Sequence, residues 1–96
     1  MSRQEILNTI IGTLKNYNPI KVSLFGSFVR NENNPKSDID ILVQFEQTYS
    51  LLQIIAIENE LTDKLGIKVD LVTEGAIKNN RIKNSIQKDL QIIYVA

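Results

Sequence analysis

The chain has 96 residues, 43% of them hydrophobic, and its 11 basic and 11 acidic residues give a formal net charge of zero. It contains neither Cys nor His, which excludes disulfides, a thiol nucleophile, a Ser-His-Asp triad and the usual zinc sites. Zero net charge argues against non-specific duplex binding, so we expect no direct contact with nucleic acid. Any catalysis must use carboxylates, hydroxyls, Lys or Arg, or a metal held by oxygen, for which Mg²⁺ or Mn²⁺ is typical.

Length and hydropathy indicate one small domain over residues 1–96, because single domains cluster at about 100–150 residues. No apolar run approaches the roughly 18–20 residues that span a bilayer. The polar N-terminus enters a helical pattern and not the apolar segment of a signal peptide. We therefore expect no membrane association and a cytoplasmic location.

Hydrophobic periodicity and turn residues predict alternating helices and strands. A capping-box pattern at Ser2 and Glu5 begins the first helix, and Gly66 stands where a glycine would end the longest one. In chain order we predict a helix ending near residue 14, a strand 20–25, a helical turn 28–30, a polar loop 31–37, a strand 38–45, a helix 48–65, a strand 67–73, a helical region from 73 or 74 to 88, and a strand 91–95. This order predicts an α/β (α+β) fold, a small mixed β-sheet with helices packed on it.

Two carboxylates, Asp38 and Asp40, interrupt the apolar strand 38–45. Burying ionised carboxylates costs several kcal/mol per group unless a counter-charge compensates. Alternate residues of a strand share a face about 6.5–7 Å apart, so the two groups project together, repel each other and favour a divalent cation. A solvent-facing strand edge is the ordinary alternative for such a pair.

A third carboxylate, Asp70, interrupts the apolar strand 67–73. If that strand neighbours strand 38–45, the three carboxylates converge on one pocket. The alternative is that Asp70 forms an ion pair with Lys68 or caps the end of a strand.

Gly26 and Ser27 follow the strand 20–25 directly and form a strand-to-helix turn. Such a turn offers backbone N–H groups and a hydroxyl to an anion, although a Gly-Ser pair is also a common ordinary turn. The patterns of a P-loop and of a Rossmann dinucleotide site are both absent.

Taken together, these segments resemble the minimal nucleotidyltransferases of the DNA polymerase β-like superfamily, and the resemblance covers nearly the whole chain. It rests on Leu24-Phe25-Gly26-Ser27, on Ser37-Asp38-Ile39-Asp40-Ile41-Leu42-Val43 and on Lys68-Val69-Asp70-Leu71-Val72. The resemblance implies a polymerase β-like nucleotidyltransferase fold that forms a single domain over residues 1–96.

The resemblance also implies the roles of individual residues. Asp38 and Asp40 would hold two Mg²⁺ ions (Mn²⁺ being possible) that bind ATP, and Asp70 would complete the second metal site and help to deprotonate the acceptor hydroxyl. Gly26 and Ser27 would hold the β- and γ-phosphates. Further nucleotide-binding candidates are Arg30 and Ser37.

One segment departs from the family pattern. Many members read Gly-Ser-Arg-Ala-Arg-Gly after the first strand, whereas this chain reads Gly-Ser-Phe-Val-Arg-Asn. Arg30 matches the second Arg, but Phe28 and Asn31 replace the first Arg and the last Gly. We therefore expect the carboxylate chemistry to be retained and nucleotide affinity to differ.

The small size leaves little room for an acceptor site, which points to an acceptor on a partner protein. Stand-alone family members are similar to the antitoxin of two-gene modules that pair with a HEPN ribonuclease toxin. The resemblance thus implies transfer of AMP from ATP to a toxin tyrosine. Two alternatives stay open, a non-catalytic module that occludes its partner and a nucleotidyltransferase acting on a small molecule. The basic stretch 78–88 fits a solvated helix face, a partner contact or a nucleotide contact.

Overall fold

The computed structural model describes residues 2–29, 38–74 and 90–96. Arg30, Asn31, Ser37, the predicted loop 31–37, the basic stretch 78–88 and most of the predicted helical region before it lie outside the described residues. The described elements, in chain order, are α1 (Arg3–Leu14), β1 (Pro19–Phe25), β2 (Ile39–Phe45), α2 (Leu51–Leu65), β3 (Val69–Thr73) and β4 (Gln91–Val95).

Both helices begin at a capping box. Ser2 accepts from the Glu5 amide and Glu5 accepts from the Ser2 amide, which confirms the predicted start of α1. Ser50 and Gln53 form the same reciprocal pair at α2. The prediction placed the start of this helix at residue 48 and was wrong by three residues, because Ser50 and not Thr48 caps the first turn.

Gly66 ends α2 in the left-handed conformation, with φ of 69° and its amide bonded to the Thr62 carbonyl. Two residues then separate it from β3, so this strand begins at Val69 and not at residue 67 as predicted. The last strand, Gln91–Val95, has the predicted bounds.

The four strands form one sheet in the order β3-β2-β1-β4. β1 pairs antiparallel with β2 and with β4, whereas β2 and β3 run parallel. This arrangement confirms the predicted mixed sheet, and it also confirms that the two strands that carry the aspartates are neighbours. None of the helices in the described ranges is long and apolar enough to cross a membrane.

The main core lies between the helices and one face of the sheet. α1 contributes Ile6, Ile10 and Leu14, and α2 contributes Ile57, Leu61 and Leu65. Leu51 and Ile55 also follow the helical spacing of α2, but they are 75% and 41% exposed and lie off this face. On the opposite face of the sheet, the described residues form a small apolar cluster of Phe25 and Leu42, with Val72 packed against it.

Alternation along the strands assigns the acidic residues to this second face. Asp40 precedes Leu42 by two residues on β2, and Asp70 precedes Val72 by two residues on β3, so each shares a face with its partner. The helices therefore bury one side of the sheet and leave the carboxylates on the other side.

Candidate functional site

The sheet register brings three of the predicted site residues to one end of the sheet. Phe25, the last residue of β1, is paired with Asp40 on β2, and Asp40 is in turn paired with Asp70 on β3. Gly26 directly follows Phe25 and so lies beside Asp40. The turn after β1 and the carboxylates of β2 and β3 are thus adjacent, although the sequence separates them by up to 44 residues (70 − 26 = 44).

Gly26 is held against the Asp40 carboxylate in a conformation that favours glycine. It begins a single 3₁₀ turn, Gly26–Phe28, with φ of 78°, and its carbonyl accepts from the Val29 amide at 3.2 Å. A Cβ at this position would collide with Oδ2 of Asp40. The turn lies two residues earlier than the predicted helical turn 28–30. Glycine is therefore required twice here, for its backbone conformation and for the close approach.

Asp38 lies just before β2 and not within it, so the predicted start of this strand at residue 38 was wrong. The reason is that the first ladder bond of β2 to β3 is made by Ile39, whose amide donates to the Lys68 carbonyl at 2.9 Å. Asp38 is half-buried and its carboxylate lies 3.9 Å from the Lys68 ammonium. Lys68 thus forms its ion pair with Asp38. One of the two interpretations of Asp70 from the sequence had paired Lys68 with Asp70 instead.

Asp70 is half-buried and carries a perturbed carboxyl group. Burial raises its pKa above the ordinary value of 3.8, and the negative charge of Asp38 together with a hydrogen bond to it raises the pKa further. Lys68 opposes this shift and Glu58 adds to it. Two carboxyl groups in contact on a sheet face are an arrangement that a bound cation would relieve.

Neighbouring carboxylates offer oxygen ligands and negative charge, which are the features that Mg²⁺ and Mn²⁺ prefer in a binding site. Among the described residues (2–29, 38–74 and 90–96), no three acidic side chains lie close enough together to hold one metal ion. Asp38 and Asp70 share a hydrogen bond, whereas Asp40 approaches Gly26. The register sets Asp40 beside Asp70 on neighbouring strands, and Asp38 lies just before β2. Joint metal binding by the three carboxylates stays a prediction, and it would require their side chains to turn toward one another.

Two residues of α2, Glu58 and Thr62, contact β3 on either side of Asp70. Glu58 Oε2 accepts from the Leu71 amide at 2.8 Å, and Thr62 Oγ1 accepts from the Val69 amide at 3.1 Å. Sequence reasoning assigned no function to either residue, because a polar side chain at helical spacing has no distinctive pattern. Glu58 and Thr62 are four residues apart, which places both on one helix face. This spacing is the one feature of the sequence that could have indicated a shared contact.

The sequence departs from the family pattern at position 28, and the reason is that the Phe28 side chain is part of the core. Its side chain is only 2% exposed and belongs to the main core. The Arg3 guanidinium lies 4.5 Å from the centre of its ring and donates to the Phe28 carbonyl at 3.1 Å. A guanidinium from α1 thus contacts the turn in a chain that lacks an Arg at position 28.

A shallow cleft of about 180 Å³ lies elsewhere, where β2 and β3 end. It is lined by Val43, Gln44, Phe45, Gln47, Thr48, Tyr49, Thr73 and Glu74. It includes none of the predicted site residues, so the carboxylate face and not this cleft is the candidate site.

Comparison with known proteins identifies the family of the chain. A family model described as "Nucleotidyltransferase domain" matches residues 7–93. A protein of Methanocaldococcus jannaschii, named as a candidate protein adenylyltransferase, is 54% identical over 79 residues, which are 82% of this chain and 79% of the relative. The protein adenylyltransferase MntA of Thermococcus cleftensis is 40% identical over 75 residues, 78% of this chain and 73% of the relative.

Solved structures show the same fold. A toxin–antitoxin structure with AMP-PNP matches with a TM-score of 0.83 at 23% identity, over 94% of this chain and 73% of that chain. The structure of a tri-AMPylated Shewanella oneidensis HEPN toxin in complex with its MNT antitoxin matches with a TM-score of 0.79 at 22% identity, over 99% of this chain and 74% of that chain. The family match over residues 7–93, together with these relatives, shows that the chain belongs to the nucleotidyltransferase domain family.

Proposed function

We propose that this chain is an Mg²⁺-dependent protein adenylyltransferase that transfers AMP from ATP to a tyrosine hydroxyl of a HEPN ribonuclease toxin and so acts as its antitoxin. The observation that carries the proposal is the register that sets Asp40 opposite Asp70, with Gly26 against Asp40. The names of the relatives support AMP transfer to a protein. The toxin–antitoxin structures with the same fold support the class of partner.

The proposed reaction is an in-line displacement at the α-phosphorus of ATP. The acceptor oxygen forms a bond to this phosphorus, the bond to the bridging oxygen of pyrophosphate breaks, and pyrophosphate leaves with the electron pair. The proton of the acceptor hydroxyl passes to a carboxylate, a role that we assign to Asp70. Asp70 is half-buried and lies opposite Asp40 in the sheet register, which places it beside the other proposed site residues. A phenol suits this base because its pKa of about 10 is lower than that of an aliphatic hydroxyl.

The remaining site residues bind the triphosphate. The backbone of the turn Gly26–Phe28 offers N–H groups beside Asp40, and the close approach of Gly26 leaves no room for a side chain there. Asp38, Asp40 and Asp70 would hold the metal ions, which supply charge neutralisation at the phosphate oxygens. Ser27, Arg30 and Ser37 remain proposed nucleotide-binding residues on the strength of the family resemblance.

The test is transfer of label from ATP to the HEPN-type product of the neighbouring gene. With ATP labelled at the α-phosphate, wild type should label the partner in Mg²⁺ or Mn²⁺ but not after chelation, and ATP labelled at the γ-phosphate should give no signal. Asp40→Asn should lose transfer by at least about 100-fold. Asp63→Asn, the same change on an exposed position of α2, is the matched control and should behave as wild type.

Mass spectrometry of the labelled partner should locate AMP on tyrosine, and Tyr→Phe at that position should abolish labelling. Equal labelling by wild type and Asp40→Asn would contradict the catalytic proposal. Neutralisation of the toxin by a doubly substituted Asp38→Ala/Asp40→Ala chain would instead favour the non-catalytic binding module. Labelling of a small molecule in place of the protein would favour the other alternative.

A further inference from the structure

β3, the strand that carries Asp70, is an edge strand of the described sheet, so contacts outside the sheet also hold Asp70 in position. Within the described sheet β3 has a single neighbour, β2, which pairs with it along one side. Along a strand, successive amides point alternately to the two sides. The Lys68 carbonyl accepts from Ile39 of β2, so the amides of Val69 and Leu71 point to the outer side. These are the residues immediately before and after Asp70.

α2 supplies an acceptor for each of these two amides. Thr62 Oγ1 lies 3.1 Å from the Val69 nitrogen, and Glu58 Oε2 lies 2.8 Å from the Leu71 nitrogen. The two acceptors are four residues apart and thus lie on one face of α2. The backbone that carries Asp70 is therefore held on one side by β2 and on the other by side chains of a helix that is packed into the main core.

The shorter of these bonds, at 2.8 Å, is accepted by a side-chain oxygen of Glu58. Without this acceptor, the half-buried edge would have a backbone donor that lacks a partner on the protein. The strand could then satisfy the donor only by moving or by admitting water. A shift of about 1 Å in a group that acts on the substrate can reduce a rate 100-fold.

We infer that Glu58 is a positioning residue for Asp70, with Thr62 as the second anchor of the same strand. The inference rests on the proposed function for its catalytic consequence, but the anchoring itself can be measured without substrate. It predicts that the acceptor oxygen of residue 58 matters and that its negative charge does not. It also predicts that other glutamates of α2 do not share this role.

The experiment compares Glu58→Ala, Glu58→Gln and Thr62→Val with a matched control, Glu60→Ala. Glu60 is also a half-buried glutamate of α2, but it accepts from the Tyr17 hydroxyl at 2.7 Å and pairs with Lys64, away from β3. Backbone hydrogen exchange, read by NMR, should increase about tenfold at Leu71 in Glu58→Ala and at Val69 in Thr62→Val. Exchange at both amides should stay at the wild-type rate in Glu60→Ala and in Glu58→Gln.

Two further measurements connect the anchoring to the site. In AMP transfer, kcat should fall about 10- to 100-fold in Glu58→Ala, with KM for ATP within about twofold of wild type, and Glu58→Gln should restore kcat. Mn²⁺ binding in the absence of ATP should weaken in Glu58→Ala and should not change in Glu60→Ala. If Glu58→Ala does not fold, Thr62→Val and Glu58→Gln carry the same comparison.

The possible failures are separable. If wild type transfers no AMP to any partner, the proposed function fails, while exchange and Mn²⁺ binding still test the anchoring. If wild type is active and the Leu71 amide of Glu58→Ala stays protected, or its kcat is unchanged, the positioning role is overturned. Equal losses of kcat in Glu58→Gln and Glu58→Ala would also overturn it, because the charge and not the acceptor oxygen would then be required.

Discussion

Gly26 and Asp40 are in direct contact, and the Cα of Gly26 faces the Asp40 carboxylate with no space for a Cβ between them. The contact joins the turn after β1 to the first carboxylate within β2. It also fixes a backbone conformation, φ of 78°, that side-chain-bearing residues rarely adopt. The same residue thus shapes the backbone of the turn and sets the distance between the turn and the carboxylate.

Gly26→Ala should therefore disrupt the proposed site more than it disrupts the fold. The added Cβ must displace Asp40 or open the turn, so we expect AMP transfer to fall about 100-fold or more. The left-handed backbone should cost about 1–2 kcal/mol of unfolding free energy. Transfer assays and denaturant unfolding measure the two effects.

The control is Gly12→Ala in α1, where an added Cβ would have nothing within 4 Å. Helix propensity predicts a gain of about 0.5–1 kcal/mol in unfolding free energy and unchanged transfer. Loss of transfer in both variants would show that the contact with Asp40 is not the cause.

Asp70→Asn should stabilise the protein at neutral pH while it abolishes transfer. The folded state raises the pKa of Asp70 through burial and the charge of Asp38, so the native protein binds this proton more readily than the unfolded chain. Stability then falls as pH rises from the ordinary value of 3.8 through the raised value. Asp70→Asn has no carboxyl group at this position and so does not lose stability in this pH range. Its Tm should exceed that of wild type at pH values above the raised pKa, and the difference should disappear at pH values below 3.8.

Thermal unfolding between pH 3 and pH 8 provides the measurement, and transfer should fall at least about 100-fold. Asp63→Asn, on an exposed position of α2, is the control and should show no such pH-dependent gain. A lower Tm for Asp70→Asn at neutral pH would contradict the prediction.

Phe28→Arg, which restores the residue that many family members have, should not improve this protein. Phe28 is 2% exposed in the main core, beneath the Arg3 guanidinium. The substitution removes a buried ring and sets two cations beside each other, so we expect a loss of roughly 3–5 kcal/mol in unfolding free energy. Denaturant unfolding and ATP binding at a temperature where the variant is folded test this, and tighter ATP binding without destabilisation would refute it.

Lys68→Ala should have little effect on stability. The Lys68 ammonium lies 3.9 Å from the Asp38 carboxylate, and its side chain is 71% exposed. Exposed pairs of this kind contribute at most about 1 kcal/mol. Chemical denaturation at low and at moderate salt should therefore give nearly the same unfolding free energy for the variant and wild type. A loss well above that size would mean that Lys68 compensates the acidic cluster more strongly than its exposure suggests.

Sequence patterns predicted those parts of the fold that depend on local periodicity. The period of two along the predicted strand 38–45 placed Asp38 and Asp40 on one face, and the apolar spacing of α1 predicted its buried side. The parallel pairing of the two strands was not determined by sequence, but the mixed sheet made it one of few possibilities.

Features that depend on packing between distant elements were not predictable. Glu58 and Thr62 matter because α2 lies along the outer edge of β3, and no local pattern shows where a helix will lie. Phe28 looked like a substitution within a phosphate-binding turn, whereas it is a core residue. Asp38 looked like a strand residue, and the partner strand decides where β2 begins.

The antiparallel pairing of Phe25 with Asp40 separates the position of the carboxylates from the length of the chain between β1 and β2. The ends of segment 26–38 are brought together by the strands that flank it and not by the segment itself. A change in chain length between Val29 and Asp38 would therefore leave Asp40 and Asp70 in register, because the strand pairing holds them. The spacing of this pair of carboxylates is in that sense independent of the length of the chain that joins β1 to β2.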